Sequence, residues 1–246
     1  MSRSAPFSPA ALRAWDELSL SSARVVLPLV FALRRPASVI DVGCLYGSWA
    51  AVCRELGVED VVGIDGDYVD RRALRIPERS FVAHDLAESL KPTRTFDLAV
   101  SLEVAHYLPE SRAAGFVADL CALAPVVLFS AAIPCQGGRG HVNEQWPAYW
   151  AERFASQRYT PVDCVRDEVW DNATIASWYA QNTLLFVSHD ACYPAINDHC
   201  GFGRSPARVH PDVFMTYAGG RYHRLRARVA DLLATLARLP TPGWPK

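Results

Sequence analysis

The sequence predicts an α/β protein built on a doubly wound, mostly parallel seven-stranded sheet. Three observations carry that expectation. Short, unbroken apolar runs alternate with amphipathic stretches, and unbroken apolar strands are the mark of parallel strands buried on both faces. The order strand, helix, strand repeats along the chain, as it does in doubly wound sheets. The first three runs end in glycines or acids, at Gly43, at Asp65-Gly66 and at His84-Asp85.

Ser8 and Pro9 suit an N-cap and a first helical position, so a helix is expected over Pro9–Glu17. A second is expected over Ala23–Leu33. The β-branched run Ser38–Val42, stopped by Gly43, reads as the first strand. Gly47–Leu56 reads as a helix closed by Gly57. Val61–Ile64, Phe81–Ala83 and Phe96–Leu102 follow as strands, then Glu110–Leu123 as a helix and Val126–Ala131 as the fifth strand. A glycine-rich loop, Ile133–Asn143, leads into a helix over Glu144–Gln157. Tyr159–Val165 and Thr183–Ser188 complete the seven strands. Asp190–Arg208 has few periodic signals and reads as an irregular excursion. The last helix is expected over Tyr222–Leu236, with Tyr222, Leu225, Val229, Leu232 and Leu236 as its apolar stripe. Arg221, Arg224, Arg226 and Arg228 read first as a solvated face and second as a basic patch, and Pro240–Lys246 as a loose tail.

At 246 residues the chain is one large domain or two small ones, and long enough to bury a sizeable core. A formal net charge of −1 argues against a dedicated nucleic-acid binder, which carries a basic excess or stripe. The longest apolar run, Val25–Leu33, contains Pro28 and is far short of the roughly 20 residues a spanning helix needs. The first residues lack the apolar core and cleavage site of a secretory signal. Seven scattered cysteines, none in C-x-x-C spacing, read as reduced thiols. The expectation is a cytoplasmic protein, monomer or homodimer, with no membrane and no nucleic-acid partner.

In doubly wound sheets ligands bind outside the carboxyl ends of the strands. The first strand runs into Asp41-Val-Gly43-Cys-Leu45-Tyr-Gly47, whose two glycines allow a tight turn and close approach of the backbone to a ligand. The second ends in Asp65, 24 residues after Asp41, where a carboxylate can accept two hydrogen bonds from ribose hydroxyls. The third ends in Asp85, placed to meet an adenine amino group. Turn or helix capping is the competing reading of either acid taken alone. The runs SVIDVGCLYGSWAAVCRELG, VVGIDGD, FVAHD and FDLAVSLEVAHYL together resemble the class I S-adenosylmethionine-dependent methyltransferases, over about Ala37–Ser130. The resemblance implies the Rossmann-like methyltransferase fold and S-adenosylmethionine as cofactor. It places Gly43 and Gly47, with Asp41 at the start of the loop, behind the methionine part. Asp65 then holds the ribose, and Asp85 with Leu86 meets the adenine. The segment Ser101–His106, with Glu103, lies by the methionine moiety. The family's middle glycine is replaced by Leu45, and its usual Glu-His-Leu by His106-Tyr107-Leu108. A nicotinamide-dependent dehydrogenase needs Gly-x-Gly-x-x-Gly after the strand, which the chain lacks. The motif order favours one domain: residues 1–36 as a helical cover, 37–189 as cofactor-binding core and 190–246 as an extension.

Methyl transfer is an in-line displacement at a sulfonium methyl, so the protein mainly positions the nucleophile and removes a proton where the acceptor is a hydroxyl. The densest candidate segment is Gly137–Trp150. Imidazole can accept and release a proton, and His141 is the candidate base or substrate ligand, with Glu144 beside it. Asn143 and Glu144 also suit a helix start, and Trp146 and Trp150 suit core packing at i, i+4. His106 and Tyr107, just past the fourth strand, are further catalytic candidates. Trp178, Tyr179, Gln181 and Asn182 read first as packing and second as a pocket wall, and His210 as part of a lid. No metal site is expected. Asp171-Asn172 comes too late for a metal-dependent relative, and His189, Asp190 and His199 match no standard spacing. The expected function is methylation of a small molecule, at oxygen first, then nitrogen or carbon. The loop's resemblance points to bacterial secondary or saccharide metabolism. The alternatives are cyclisation, cleavage or aminocarboxypropyl transfer from the same sulfonium, and a degenerate cofactor-binding protein.

Overall fold

A computed structural model describes residues 8–191, 207–219 and 229. The expected helix over 222–236, its arginine face and the tail lie outside the described residues, apart from Val229. So does most of the 190–208 excursion.

Helix α1 is Pro9–Leu33, capped by Ser8, whose Oγ accepts the Ala11 N–H at 3.2 Å. It is one helix where two are expected. Ser21 and Ser22, in the gap between the two expected helices, turn their hydroxyls back onto the Leu18 carbonyl, at 3.0 and 2.6 Å, and stay helical. Pro28 is tolerated on the exposed face. The order continues β1 Ser38–Val42, α2 Ser48–Glu55, β2 Asp60–Asp65, β3 Phe81–Ala83, β4 Leu98–Leu102, α3 Glu110–Leu123 and β5 Val126–Ser130. Then come α4 Pro147–Ser156, β6 Tyr159–Val162, α5 Arg166–Val169, α6 Ser177–Asn182 and β7 Leu184–Ser188. Residues 211–219 form α7.

Three boundaries move for identifiable reasons. β4 starts at Leu98 because the Asp97 carboxylate is spent on the Ala37 and Ser38 amides at 2.7 and 3.1 Å. β6 stops at Val162 because Asp163 turns to pair with the fully buried Arg166 of the unforeseen α5. α4 starts at Pro147, capped by Trp146, rather than at Glu144. Asn143 is therefore no N-cap; it is buried, and its Oδ1 accepts the Gln145 amide at 3.0 Å. Trp150 packs in the core as expected, whereas Trp146, outside the helix, is exposed.

The seven strands lie in the order β3-β2-β1-β4-β5-β7-β6. All the pairings from β3 to β5 are parallel; β7 runs antiparallel between β5 and β6. Alternation builds two cores. Leu98, Val100, Leu128 and Leu185 point to one face, beneath α1, α2 and α6. Ala99, Val127, Phe129 and Phe186 point to the other, against Phe116 of α3 and Trp150 and Phe154 of α4. β6 carries Pro161 and pairs with β7 alone, as suits an edge strand. No helix among the described residues is long and apolar enough to cross a membrane.

Candidate active site

The strand order reverses between β1 and β4, and the crevice there is the place for a ligand. The two loops that leave these strands interlock. Gly43 has φ 84°, and a Cβ on it would stand 2.3 Å from Val104 Cγ2. Gly43 and Cys44 donate their N–H groups to the Ile64 carbonyl at 2.8 and 3.1 Å. Gly47, at φ 83°, is the left-handed N-cap of α2. Leu45 takes φ 48°, a left-handed conformation that costs a side-chain-bearing residue roughly 1–2 kcal/mol. Its N–H donates to Asp65 Oδ2 at 2.7 Å, and its side chain packs on a small cluster of Leu12, Tyr46 and Val69. The departure from glycine is absorbed by a contact to α1.

Asp65 is buried at the end of β2. Besides Leu45, it accepts the Gly66 N–H and the Tyr68 hydroxyl, both on Oδ1 at 2.6 Å. Burial pushes its carboxyl upward, and the three hydrogen bonds oppose that shift. The Tyr68 ring lies over Gly66, where a Cβ would come within 2.4 Å of it. Asp41 is also buried, its Oδ2 has no partner, and burial together with the Asp65 charge pushes it up to about 7. Asp85 is exposed after β3; its Oδ1 accepts the Ala87 N–H at 3.0 Å, a turn cap that leaves Oδ2 open, and Leu86 beside it is buried. These residues fit the donor that the resemblance implies. Two acids stand at the ends of β2 and β3, a glycine loop closed over by Val104 and Ile76 stands at β1, and Asp41 at its start keeps one orphaned buried oxygen.

The remaining candidates gather past β4 and β5. His106 is buried; its Nδ1 accepts the Ala132 N–H at 2.9 Å. Burial and the neighbouring His141 hold it well below the usual imidazole range, so it is neutral. Its carbonyl accepts the N–H groups of Val142 and Asn143 at 2.9 and 3.1 Å. The rings of His106, Tyr107 and His141 cluster in tilted and edge-to-face contacts, with centroids 4.0 to 5.0 Å apart. His141 Nδ1 lies 2.9 Å from Glu144 Oε1. Glu144 also accepts the Cys135 and Gly137 N–H groups, at 2.9 and 2.8 Å, and so ties the loop closed on itself. A Cβ on Gly138 would stand 2.3 Å from His141 Nε2, so the imidazole lies on a bare glycine Cα.

A second polar group sits alongside. Glu103 follows β4 directly, at φ 58°. Its Oε1 accepts from Asn182 Nδ2 at 3.0 Å and its Oε2 from Gln136 Nε2 at 3.2 Å. Gln181, fully buried, donates to Gln136 and Asn182 at 3.1 and 2.9 Å and accepts the His210 N–H at 2.8 Å. Burial pushes Glu103 up to about 7, against the pull of Asn182, Ser130 and Gln136 and aided by Glu144.

Thus the structure brings His106, Tyr107, His141 and Glu144 together past β4 and β5, and Gly43, Gly47, Asp41 and Asp65 around the β1 loop. Asp85 stands at the rim. Sequence reasoning missed Tyr68 and Gln136. Tyr68 was findable, three residues past the strand-end acid in a Gly-containing turn. Gln136 offered no signal. Gln181 and Asn182, read first as packing, are buried but hydrogen-bonded to the strand-end acid through the amide group.

A family model described as a methyltransferase domain matches residues 15–164. No curated protein matches the chain. Among solved structures, the chain is similar to magnesium protoporphyrin IX methyltransferase from Synechocystis with bound S-adenosylmethionine. The identity is 19%, over 76% of this chain and 86% of that one, with a TM-score of 0.51. It is similar to an S-adenosylmethionine-dependent methyltransferase from Mesorhizobium loti at 18% identity, over 68% and 98%, with a TM-score of 0.50. Human N-acetylserotonin methyltransferase is similar at 15%, over 72% of this chain and 55% of that one, with a TM-score of 0.52. At these identities the likeness is one of fold.

Proposed function

The chain belongs to the methyltransferase-domain family, the S-adenosylmethionine-dependent transferases, and we propose that it methylates a small molecule in bacterial secondary or saccharide metabolism. Oxygen is the first-choice acceptor atom, then nitrogen or carbon. The observation that carries this reading is the 2.9 Å contact between His141 Nδ1 and Glu144 Oε1, at the carboxyl edge of β4 and β5. A Glu144 carboxylate accepting the Nδ1 proton fixes the tautomer in which Nε2 is the basic nitrogen. Nε2 then takes the proton of an acceptor hydroxyl as the bond to the methyl forms.

When bound, the donor supplies an activated methyl group, and the chain's task is to orient it and the acceptor. Gly43 and Gly47 let the β1 loop turn tightly beneath Val104 and Ile76, and that loop backs the methionine part. Asp65 takes the ribose hydroxyls, and Asp85 with the Leu86 backbone meets the adenine. Asp41 and Glu103 flank the methionine end. His106, neutral and buried, holds the Ala132 and Val142–Asn143 backbone in place, and Tyr107 covers the His141 ring.

The test is product analysis with the purified full chain, S-adenosylmethionine and a panel of phenolic, saccharide and amine acceptors. Accumulation of S-adenosylhomocysteine with a methylated acceptor is the expected result. Release of 5′-methylthioadenosine instead would reject methyl transfer, and no binding of the donor or of S-adenosylhomocysteine would reject the donor itself.

A further inference from the structure

Gln181 is fully buried in α6, and its side-chain amide is bonded at both ends. Its Oε1 accepts the His210 N–H at 2.8 Å. Its Nε2 donates to Gln136 Oε1 at 3.1 Å and to Asn182 Oδ1 at 2.9 Å. Those two amides turn their nitrogens to Glu103: Asn182 Nδ2 donates to Oε1 at 3.0 Å and Gln136 Nε2 to Oε2 at 3.2 Å. Asn182 Nδ2 also donates to Gln136 Oε1 at 2.9 Å.

This chain of bonds has a direction. A main-chain N–H only donates, and an amide oxygen only accepts. The His210 N–H therefore dictates which end of the Gln181 amide faces it, and the other end must supply hydrogens to Gln136 and Asn182. A second main-chain group demands the same polarity, since the Ile133 N–H meets Gln136 Oε1 at 3.2 Å. With the Gln181 amide reversed, its oxygen would face two other amide oxygens. Removing a member strands buried polar atoms, and the cost of that exceeds the worth of one hydrogen bond.

The two ends lie in different parts of the fold. Arg208 pairs with Asp167 of α5 at 2.7 Å and lies over the Trp170 ring at 4.4 Å, and His210 Nε2 donates to the Trp170 carbonyl at 2.8 Å. These contacts seat residues 208–210, just before α7, against α5. At the other end Glu103 holds φ 58° beside Val104, which fills the notch at Gly43. Gln181, Asn182 and His210 all fall beyond residues 15–164, so the connection is an addition to the matched domain.

We propose that Gln181 is a positioning residue: through Asn182 and Gln136 it aims the Glu103 carboxylate, and it makes that aim depend on the seating of residues 208–210. The proposal rests on the donor reading above, which sets Glu103 at the methionine end, and adds to it a coupling between two places. A ligand that engages the aimed Glu103 favours the seated segment, and the seated segment favours the ligand by the same factor.

The experiment is a double-variant cycle on the full chain, read by calorimetry with S-adenosylhomocysteine and by hydrogen exchange over residues 207–219. In the unmodified chain, S-adenosylhomocysteine is expected to slow exchange in that segment about fivefold or more. Gln181→Met keeps the volume and removes all three amide bonds. It is expected to weaken S-adenosylhomocysteine binding about tenfold and to abolish the exchange response. Arg208→Ala unseats the segment without touching the amides, and is expected to weaken binding about fivefold alone and not at all in the Gln181→Met background. Leu120→Ala, in the core beneath α3, serves as the control for lost stability: Tm falls and the affinity holds. Unchanged affinity in Gln181→Met, additive effects of the two substitutions, or a segment whose exchange ignores the ligand overturns the proposal and leaves the donor reading intact. Should Gln181→Met fail to fold, Arg208→Ala decides, and unchanged affinity there overturns the proposal. Failure of S-adenosylhomocysteine to bind the unmodified chain overturns both.

Discussion

The Tyr68 hydroxyl donates to Asp65 Oδ1 at 2.6 Å, on the carboxylate that the proposed function assigns to the ribose. Oδ1 also takes the Gly66 N–H and Oδ2 the Leu45 N–H, so little of the carboxylate is left for a ligand. A ribose hydroxyl must compete with the chain's own phenol. Tyr68→Phe keeps the ring over Gly66 and removes the competitor. The expected result is S-adenosylhomocysteine affinity raised roughly 3–10-fold, the worth of one hydrogen bond. Calorimetry reads it, and weaker binding would mean that the phenol assists the ribose rather than displacing it.

The fit of Val104 into the space at Gly43 gives a paired test. Gly43→Ala places a methyl 2.3 Å from Val104 Cγ2 and 2.8 Å from Cγ1, on a backbone at φ 84°. The expected result is a Tm lowered by at least about 5 °C and donor binding lost. Adding Val104→Ala removes both colliding atoms and should restore part of the Tm, the backbone strain remaining. Equal Tm values for the single and double variants would show that the collision is not the cause.

Two buried acids set an unusual pH trend. Asp41 and Glu103 are both pushed up to about 7 by burial. In the unfolded chain they ionise near their ordinary values, 3.8 and 4.5. Between those values and about 7 the folded state holds more protons than the unfolded, so these groups make stability fall as pH rises. Below about 4 their contribution is fully present; above 7 it is gone. Melting curves from pH 5 to 8 should show a smaller decline for Asp41→Asn than for the unmodified chain. An identical decline would remove Asp41 from the account.

For catalysis, His141→Ala is expected to lower kcat about 10²–10⁴-fold for a hydroxyl acceptor. KM for the donor should hold. Glu144→Gln should cost less, on the order of tenfold, because one amide oxygen still accepts from the loop. Turnover by His141→Ala at the normal rate would exclude His141 as the base.

Much of the β1–β4 half was legible because its signals are local. β3 and α3 fall on their expected residues, and Asp65 and Asp85 stand at the expected strand ends. Misreadings arose where one residue type serves two ends. Ser21 and Ser22 fall between the two expected helices but bond back to Leu18 and keep the helix continuous. Glu144 looks like a first helical turn, but Pro147 sets the start, and Trp146 is thereby left outside. The amide group around Glu103 was beyond reach. Gln136 and Asn182 lie 33 and 79 residues from it, and no periodicity links residues that only the sheet brings together.

β7 runs against its neighbours, and so presents its beginning at the edge where they present their ends. That reversal delivers a six-residue helix to the same edge, where its Tyr179 meets Trp49 of α2 edge to face, with centroids 5.2 Å apart. Under the proposed function this divides the labour of evolution. New acceptors can be tried by substitutions in α6 and its approach, while the parallel strands that hold the donor stay as they are. A lineage can thus diversify its chemistry at one margin of the sheet without reinventing the other.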